Sequence, residues 1–157
     1  MKQEQLNDPI YQQFITQVVQ NQMVFTLQDE DESFAECPSE SYSDDLGEPD
    51  TVYCFWHCAD AARACQQEEW ANYTLTEIQL ADFMYENLIS MDTAHHLVGV
   101  SFDADLFGIE VEPIELLADL LDEIKKCNLI DEFPDFDELQ NYRHQWEKIV
   151  WQQQIIH

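Results

Sequence analysis

TVYCFWHCADAARACQQEEW, residues 51–70, passes within a few positions from a β-branched and aromatic run to an alanine-rich one. Val52 to Trp56 is the longest unbroken apolar run of the chain. Its side chains suit a pleated, packed surface, so Thr51 to Trp56 reads as a buried strand. Alternation then sends Cys54 to one face and Tyr53 with Phe55 to the other. From His57 to Glu69 the pattern reads as a helix with Ala61, Ala62 and Cys65 inward, and Trp70 to Thr76 as a connection that brings Trp70 and Tyr73 to the core edge.

Upstream of this unit, Asp8-Pro9 starts a helix, with Asp8 as N-cap and Pro9 in the first turn. Ile10, Tyr11, Phe14, Ile15 and Val18 form its apolar face, and it fades near Asn21. Met23 to Gln28 alternates as a strand, Asp29 to Glu32 is an acidic turn, and Ser33 to Cys37 returns as a strand. Pro38 to Asp50 carries Pro38, Gly47, Pro49 and three serines among acids, and reads as an exposed loop.

Downstream, Leu80, Phe83, Met84, Asn87 and Leu88 recur at helical spacing over Leu80 to Met91. His96 to Phe102 and Ile109 to Glu112 read as a hairpin with a long turn at Asp103 to Gly108. Pro113 opens a helix through Ile124, with Lys125 and Lys126 in its last turn where they oppose the helix dipole. Phe136, Leu139, Tyr142, Trp146, Ile149 and Val150 predict a final helix to about Gln153, with Trp151 and Ile155 off its apolar stripe. The expected class is α+β: a small mixed or antiparallel sheet covered by helices, as one domain over 1–127, with a carboxy-terminal helical extension over 128–157 packed on it.

The chain has 157 residues, 45% of them hydrophobic, which suffices for a real core. It has 33 acids against 6 bases, a formal net charge of -27. Nothing here could neutralise phosphates, so direct nucleic-acid binding is excluded, and docking on anionic membranes is disfavoured. The first residues lack the apolar stretch of a secretory signal, and no run approaches the roughly 20 residues of a membrane helix. Five cysteines, an odd number in a chain of this length, point to reduced thiols in a cytoplasm rather than to a disulfide framework. Three glycines, well separated, exclude phosphate-cradling loops, and no nucleophile elbow is present.

Val24-Phe25-Thr26-Leu27, then Val52-Tyr53-Cys54-Phe55-Trp56, Glu69-Trp70, Ile78-Gln79-Leu80-Ala81-Asp82-Phe83, Val98-Gly99-Val100, Gly108-Ile109-Glu110-Val111 and Pro113-Ile114-Glu115-Leu116 follow one another in an order that is familiar. Over residues 10 to 124 the chain resembles the bacterial family catalogued as domain of unknown function 2750. That family usually has a proline just after the tryptophan, where His57 and Cys58 stand here. The resemblance implies no catalytic residue and no cofactor. The order of elements is also similar, at the level of fold, to the amino-terminal domain of SseB-like secretion accessory proteins.

Cys54, His57, Cys58 and Cys65 are the tightest cluster of soft ligands. Zinc would be held at such a strand–helix junction, but the spacing is C-x3-C and no second pair exists, Cys37 and Cys127 being isolated in sequence. Core packing is the expected role of Cys54 and Cys65. Cys58 beside His57 has the elements of a thiol nucleophile and base, although the surrounding acids oppose a thiolate. Asp29, Asp31, Ser33 and Glu40 match four positions of a calcium loop, whose obligatory glycine is replaced by Phe34. His95 and His96 fall on opposite faces of an extended segment, so they do not make a metal pair. No catalytic, metal or cofactor site is therefore expected.

The charge distribution says more. No Lys or Arg occurs from Gln3 to Ala62, nor from Ala64 to Glu123. Asp29, Glu30, Asp31, Glu32, Glu36, Glu40, Asp44, Asp45, Glu48 and Asp50 crowd one stretch, with Tyr42 among them as an exposed aromatic anchor. The expected function is non-enzymatic: a cytosolic protein that binds a basic protein partner, of the immunity, effector-chaperone or DNA-mimic type. The alternatives are a small enzyme or metal-binding protein using the Cys54/His57/Cys58/Cys65 corner, and a housekeeping protein whose charge serves only solubility.

Overall fold

Asp8 caps the first helix, α1 (Pro9–Asn21), through a 2.8 Å bond from the Ile10 N–H to its carboxylate. The helix ends where Gln22 adopts a left-handed backbone, φ 54°, which turns the chain into β1 (Met23–Gln28). The computed structural model describes residues 8–156, side chains excepted at 41 and 153–156. β2 (Glu36–Ser43), β3 (Pro49–Trp56), the short α2 (Ala59–Arg63) and β4 (Thr74–Gln79) follow. A helix α3 then runs through Leu80–Asp82, Phe83–Leu88 and Ile89–Thr93, its middle segment widened to i→i+5 bonding. β5 (Leu97–Val100), β6 (Ile109–Val111), α4 (Pro113–Lys126) and the long α5 (Phe136–Ile156) complete the order.

The strands form one mixed sheet ordered β4-β1-β3-β5-β6, with β2 also on β3. β3 is its organising strand. On one edge β1 pairs antiparallel with its carboxyl end, Thr26 opposite Phe55, and β2 pairs antiparallel with its amino half, Cys37 opposite Val52. On the other edge β5 runs parallel, Cys54 opposite Gly99. β6 closes that side antiparallel to β5. This is the α+β architecture read from the sequence.

Strict alternation along β3 divides the core in two. Phe55 joins Val24, Val98, Val100 and Val111 against α1, α3 and α4. Val52, Cys54 and Trp56 join Leu27, Leu97 and Phe102 on the opposite face, under Ala62, Cys65 and Trp70. Trp56, Tyr11, Phe14, Phe55 and Phe83 are fully buried, each contributing about 1.5–3 kcal/mol of hydrophobic stabilisation relative to exposure.

Several local expectations are corrected. Pro38 to Asp50 is not a loop: β2 and β3 form a hairpin whose turn is only Asp44 to Glu48. The returning strand therefore lies at Glu36–Ser43 rather than Ser33 to Cys37, of which Phe34 makes only an isolated bridge to Gln28. These residues have little strand propensity, and the apolar β3 recruits them by pairing. The helix expected over His57 to Glu69 shrinks to Ala59–Arg63 and a single tight turn at Glu68–Trp70, where Glu68 takes φ 55°. The connection expected over Trp70 to Thr76 ends inside β4, which pairs with all of β1. Finally, the α5 stripe holds for Phe136 and Leu139, which are buried in the first core with Tyr142 and Trp146 packed beside them, and fails at Ile149, which is 55% exposed. Trp151, off that stripe, is 61% exposed, and the side chain of Ile155 lies outside the described residues. No described helix is long and apolar enough to cross a membrane.

Candidate functional site

The hairpin, the β5–β6 loop and the segment after α2 meet over the second face of the sheet. An aspartate shapes each of the two turns. Asp44 accepts the Leu46 and Glu48 N–H groups on one carboxylate oxygen, at 2.9 and 3.0 Å. Asp103 does the same for Asp105 and Phe107, at 2.9 and 3.0 Å. A short polar side chain that satisfies nearby backbone N–H groups is what lets an acidic, glycine-poor segment reverse direction. Asp29 repeats the device with Asp31 and Ser33, so the stretch that resembled a calcium loop opens with a turn closed by the Asp29 carboxylate and by the backbone bonds between Asp29 and Ser33 and between Glu32 and Asp29.

Pairing of β2 with β3 shifts register between Pro38 and Ser43. At this break Glu110 of β6 accepts the Ser39 hydroxyl and the Glu40 N–H, tying the hairpin across to β6. Two clefts result. One of about 370 Å³ lies between Pro38, Trp70 and Leu106, with Glu36, Glu68, Glu69 and Asp105 on its walls. The other, about 290 Å³, lies between Pro38, Phe102 and Phe107, with Glu40 and Glu110. Neither is lined by a Lys or Arg. Leu106 and Phe107 are 45% and 65% exposed at their mouths, and Leu46 is 88% exposed at the hairpin tip.

Eight of the ten acids between 29 and 50 are exposed, Asp29 and Asp50 being half-buried. Among the described residues none of the ten is in an ion pair; the Lys and Arg pairs are Arg63–Asp60, Arg143–Asp122 and Arg143–Glu147. Tyr42 is not the exposed anchor expected of it. It is half-buried against the second core, its N–H bonded to Ser39 Oγ at 2.9 Å, and burial pushes its phenol above the usual range.

The cysteine corner also comes apart. Cys54 and Cys65 are buried in the second core, Cys65 donating to the Phe102 carbonyl at 3.2 Å beside the Trp56 indole N–H at 2.8 Å. Burial pushes both thiols up after, for Cys54, its bond with Cys37. Cys58 stands at the start of α2 with no side-chain capping bond. His57 is lowered by burial and lies 3.5 Å from Ser101 Oγ. The residue that joins Cys54 is Cys37, which looked isolated in sequence: their sulfurs are 4.0 Å apart. Among the described residues no group of three or more His, Cys, Asp or Glu side chains could hold a metal ion. His95 is exposed, while His96 is half-buried and meets the Tyr53 ring edge-on at 5.0 Å.

Sequence reasoning missed Glu68, Glu69, Asp105, Leu106 and Phe107 as a group. The available signal was an apolar pair, Leu106-Phe107, inside an otherwise acidic turn.

Residues 11–120, which carry the whole sheet, α2, α3 and most of α1, match the family described as protein of unknown function (DUF2750). The chain belongs to this family. The match starts inside α1 and stops inside α4, so the clefts fall within the family's span and α5 beyond it. No curated protein matches the chain, and no solved structure does. The fold-level likeness to SseB-like proteins gains no support from these comparisons.

Proposed function

We propose that this chain is a non-enzymatic, cytosolic protein that binds a basic protein partner on the face formed by the β2–β3 hairpin and the β5–β6 loop. One observation carries the reading: Leu106 and Phe107 stand exposed over two clefts whose ionisable walls are acidic, with no cation among them. An apolar centre within a charged rim is the anatomy of a protein interface. A surface of one sign speeds encounter with the opposite sign and rejects its own. Glu30, Asp31, Glu32, Glu36, Glu40, Asp44, Asp45 and Glu48 supply steering from exposed positions, and Leu46, Leu106 and Phe107 supply the anchors in place of Tyr42. The same charge disfavours direct contact with nucleic acid.

The test is capture of partners from native lysate by the wild-type chain and by the double variant Leu106→Ser/Phe107→Ser, which keeps the net charge. The expected result is a basic protein retained by wild type, released as salt shortens the Debye length, and lost from the double variant. Retention that ignores both salt and the double substitution would refute the assignment of this face.

A further inference from the structure

We propose that Cys37 and Cys54 are a dithiol pair oxidised by hydroperoxides to a disulfide, with Cys37 attacking from the cleft wall and Cys54 resolving from the core beneath it. Cys37 is paired with Val52, so Cys54, two positions along β3, is its diagonal neighbour on the same face of the sheet. Their sulfurs lie 4.0 Å apart. The two differ in the way such a pair requires. Cys37 is half-buried and lines both clefts, open to a small oxidant. Cys54 is fully buried, out of its reach.

The surroundings favour Cys37 as the nucleophile. The bond with the Cys54 sulfur lowers the Cys37 thiol from its usual range, outweighing burial and the opposing charges of Glu110, Glu40 and Glu36. Of the other cysteines, exposed Cys127 is raised by its bond to Glu123, and Cys65 is raised by burial. Thiolate character and access select the cysteine that oxidises.

The chemistry balances as follows. The Cys37 thiolate attacks the terminal peroxide oxygen, the O–O bond breaks, and the remaining alkoxide (hydroxide when the oxidant is hydrogen peroxide) leaves and is protonated. Cys37 becomes a sulfenic acid. The Cys54 sulfur then attacks the Cys37 sulfur and gives up its thiol proton to the departing hydroxyl, so the S–O bond breaks and water leaves. Two thiols lose two electrons in all, and these reduce one hydroperoxide. Closing the bond brings the sulfurs from 4.0 Å to about 2.05 Å. The strand that yields is β2, which pairs only with β3 among the described strands and breaks register just after Pro38.

The experiment treats the reduced full-length chain with one equivalent of hydrogen peroxide, alkylates the remaining thiols, and digests after acidic residues without reduction. Cleavage there separates Cys37 from Cys54, and fragment sequencing separates Cys54 from Cys58. The expected result is loss of two of the five thiols and a fragment joining Cys37 to Cys54. Cys54→Ser should leave Cys37 as a sulfenic acid captured by a 1,3-diketone. The wild-type digest decides by itself should that variant fold poorly. Oxidation confined to Cys58 or Cys127, a link between any other pair, or Cys37 carried to the sulfinic acid with Cys54 still alkylatable would each overturn the pair.

Discussion

Two of the three glycines abut one aromatic ring, and replacing Gly108 by alanine should show how tightly. A Cβ at Gly108 would drive into the Phe102 ring at Cδ1 and stand 2.8 Å from both Phe102 Cα and Cε1, while one at Gly99 would stand 2.9 Å from the same Cε1. The ring is 5% exposed and packed in the second core, so it has nowhere to retreat. One of the three obstructing atoms belongs to the main chain, so the backbone must move as well as the ring. Overpacking of this kind costs about 1–3 kcal/mol, and the clash with both ring and backbone places Gly108→Ala near the upper end, about 3 kcal/mol. For a domain of this size that corresponds to a fall in Tm of roughly 6–12 °C. Urea unfolding followed by tryptophan fluorescence suits the assay, because Trp56 and Trp70 sit in the same cluster. With a slope of about 2 kcal/mol/M the midpoint should drop by about 1.5 M. The same variant measured on a Phe102→Ala background should lose at least about 1 kcal/mol of its penalty, as residues in contact couple. A cost below about 0.5 kcal/mol, or equal costs on both backgrounds, would refute the close packing of Gly108 on Phe102.

Other outcomes follow from the same structure. Tyr11→Phe removes the phenol that donates to Asp119 at 2.6 Å between two buried side chains, and should lower stability by about 1–3 kcal/mol in chemical denaturation; an unchanged midpoint would show that Asp119 gains nothing from that bond. Leu139→Ala should cost about 2–5 kcal/mol because the side chain is 2% exposed, whereas cutting the chain after Val150, past Trp146, the last described side chain packed on the first core, should leave the calorimetric Tm within about 2 °C. Burial and then the bond to Asp92 push Tyr142 up to about 12. An unfolded tyrosine releases its proton near pH 10, so Tyr142 favours the folded state below that pH and its contribution is lost as pH rises from about 10 to about 12. Asp92→Asn should bring the late phenolate absorbance step to lower pH, and a step that does not move would contradict the assigned partner.

The strongest sequence signals were local and self-sufficient. Asp8-Pro9 satisfies its own helix start, Pro113 to Lys126 carries both its apolar stripe and its terminal lysines, and Thr51 to Trp56 is apolar enough to be a strand wherever it lies. The mixed α and β class, the helix over Leu80 to Met91, the β5–β6 hairpin and the crowding of acids were legible for the same reason. Tertiary structure decided what depended on a distant partner. β2 is a strand because β3 offers it bonds that its own serines, prolines and acids could not secure alone. The helix after Trp56 stops early once that chain is folded over the sheet, with Trp70 reaching the second core through a separate tight turn. Ile149 is exposed because nothing described lies beneath the far part of α5, although its spacing suits burial. The meeting of Cys37 with Cys54, and of Leu106 with the acids of the hairpin and of the segment after α2, needed strand register and the crossing bond from Ser39 to Glu110. Periodicity along a chain specifies which face a side chain takes, whereas the group it faces is fixed only when the sheet has chosen its order.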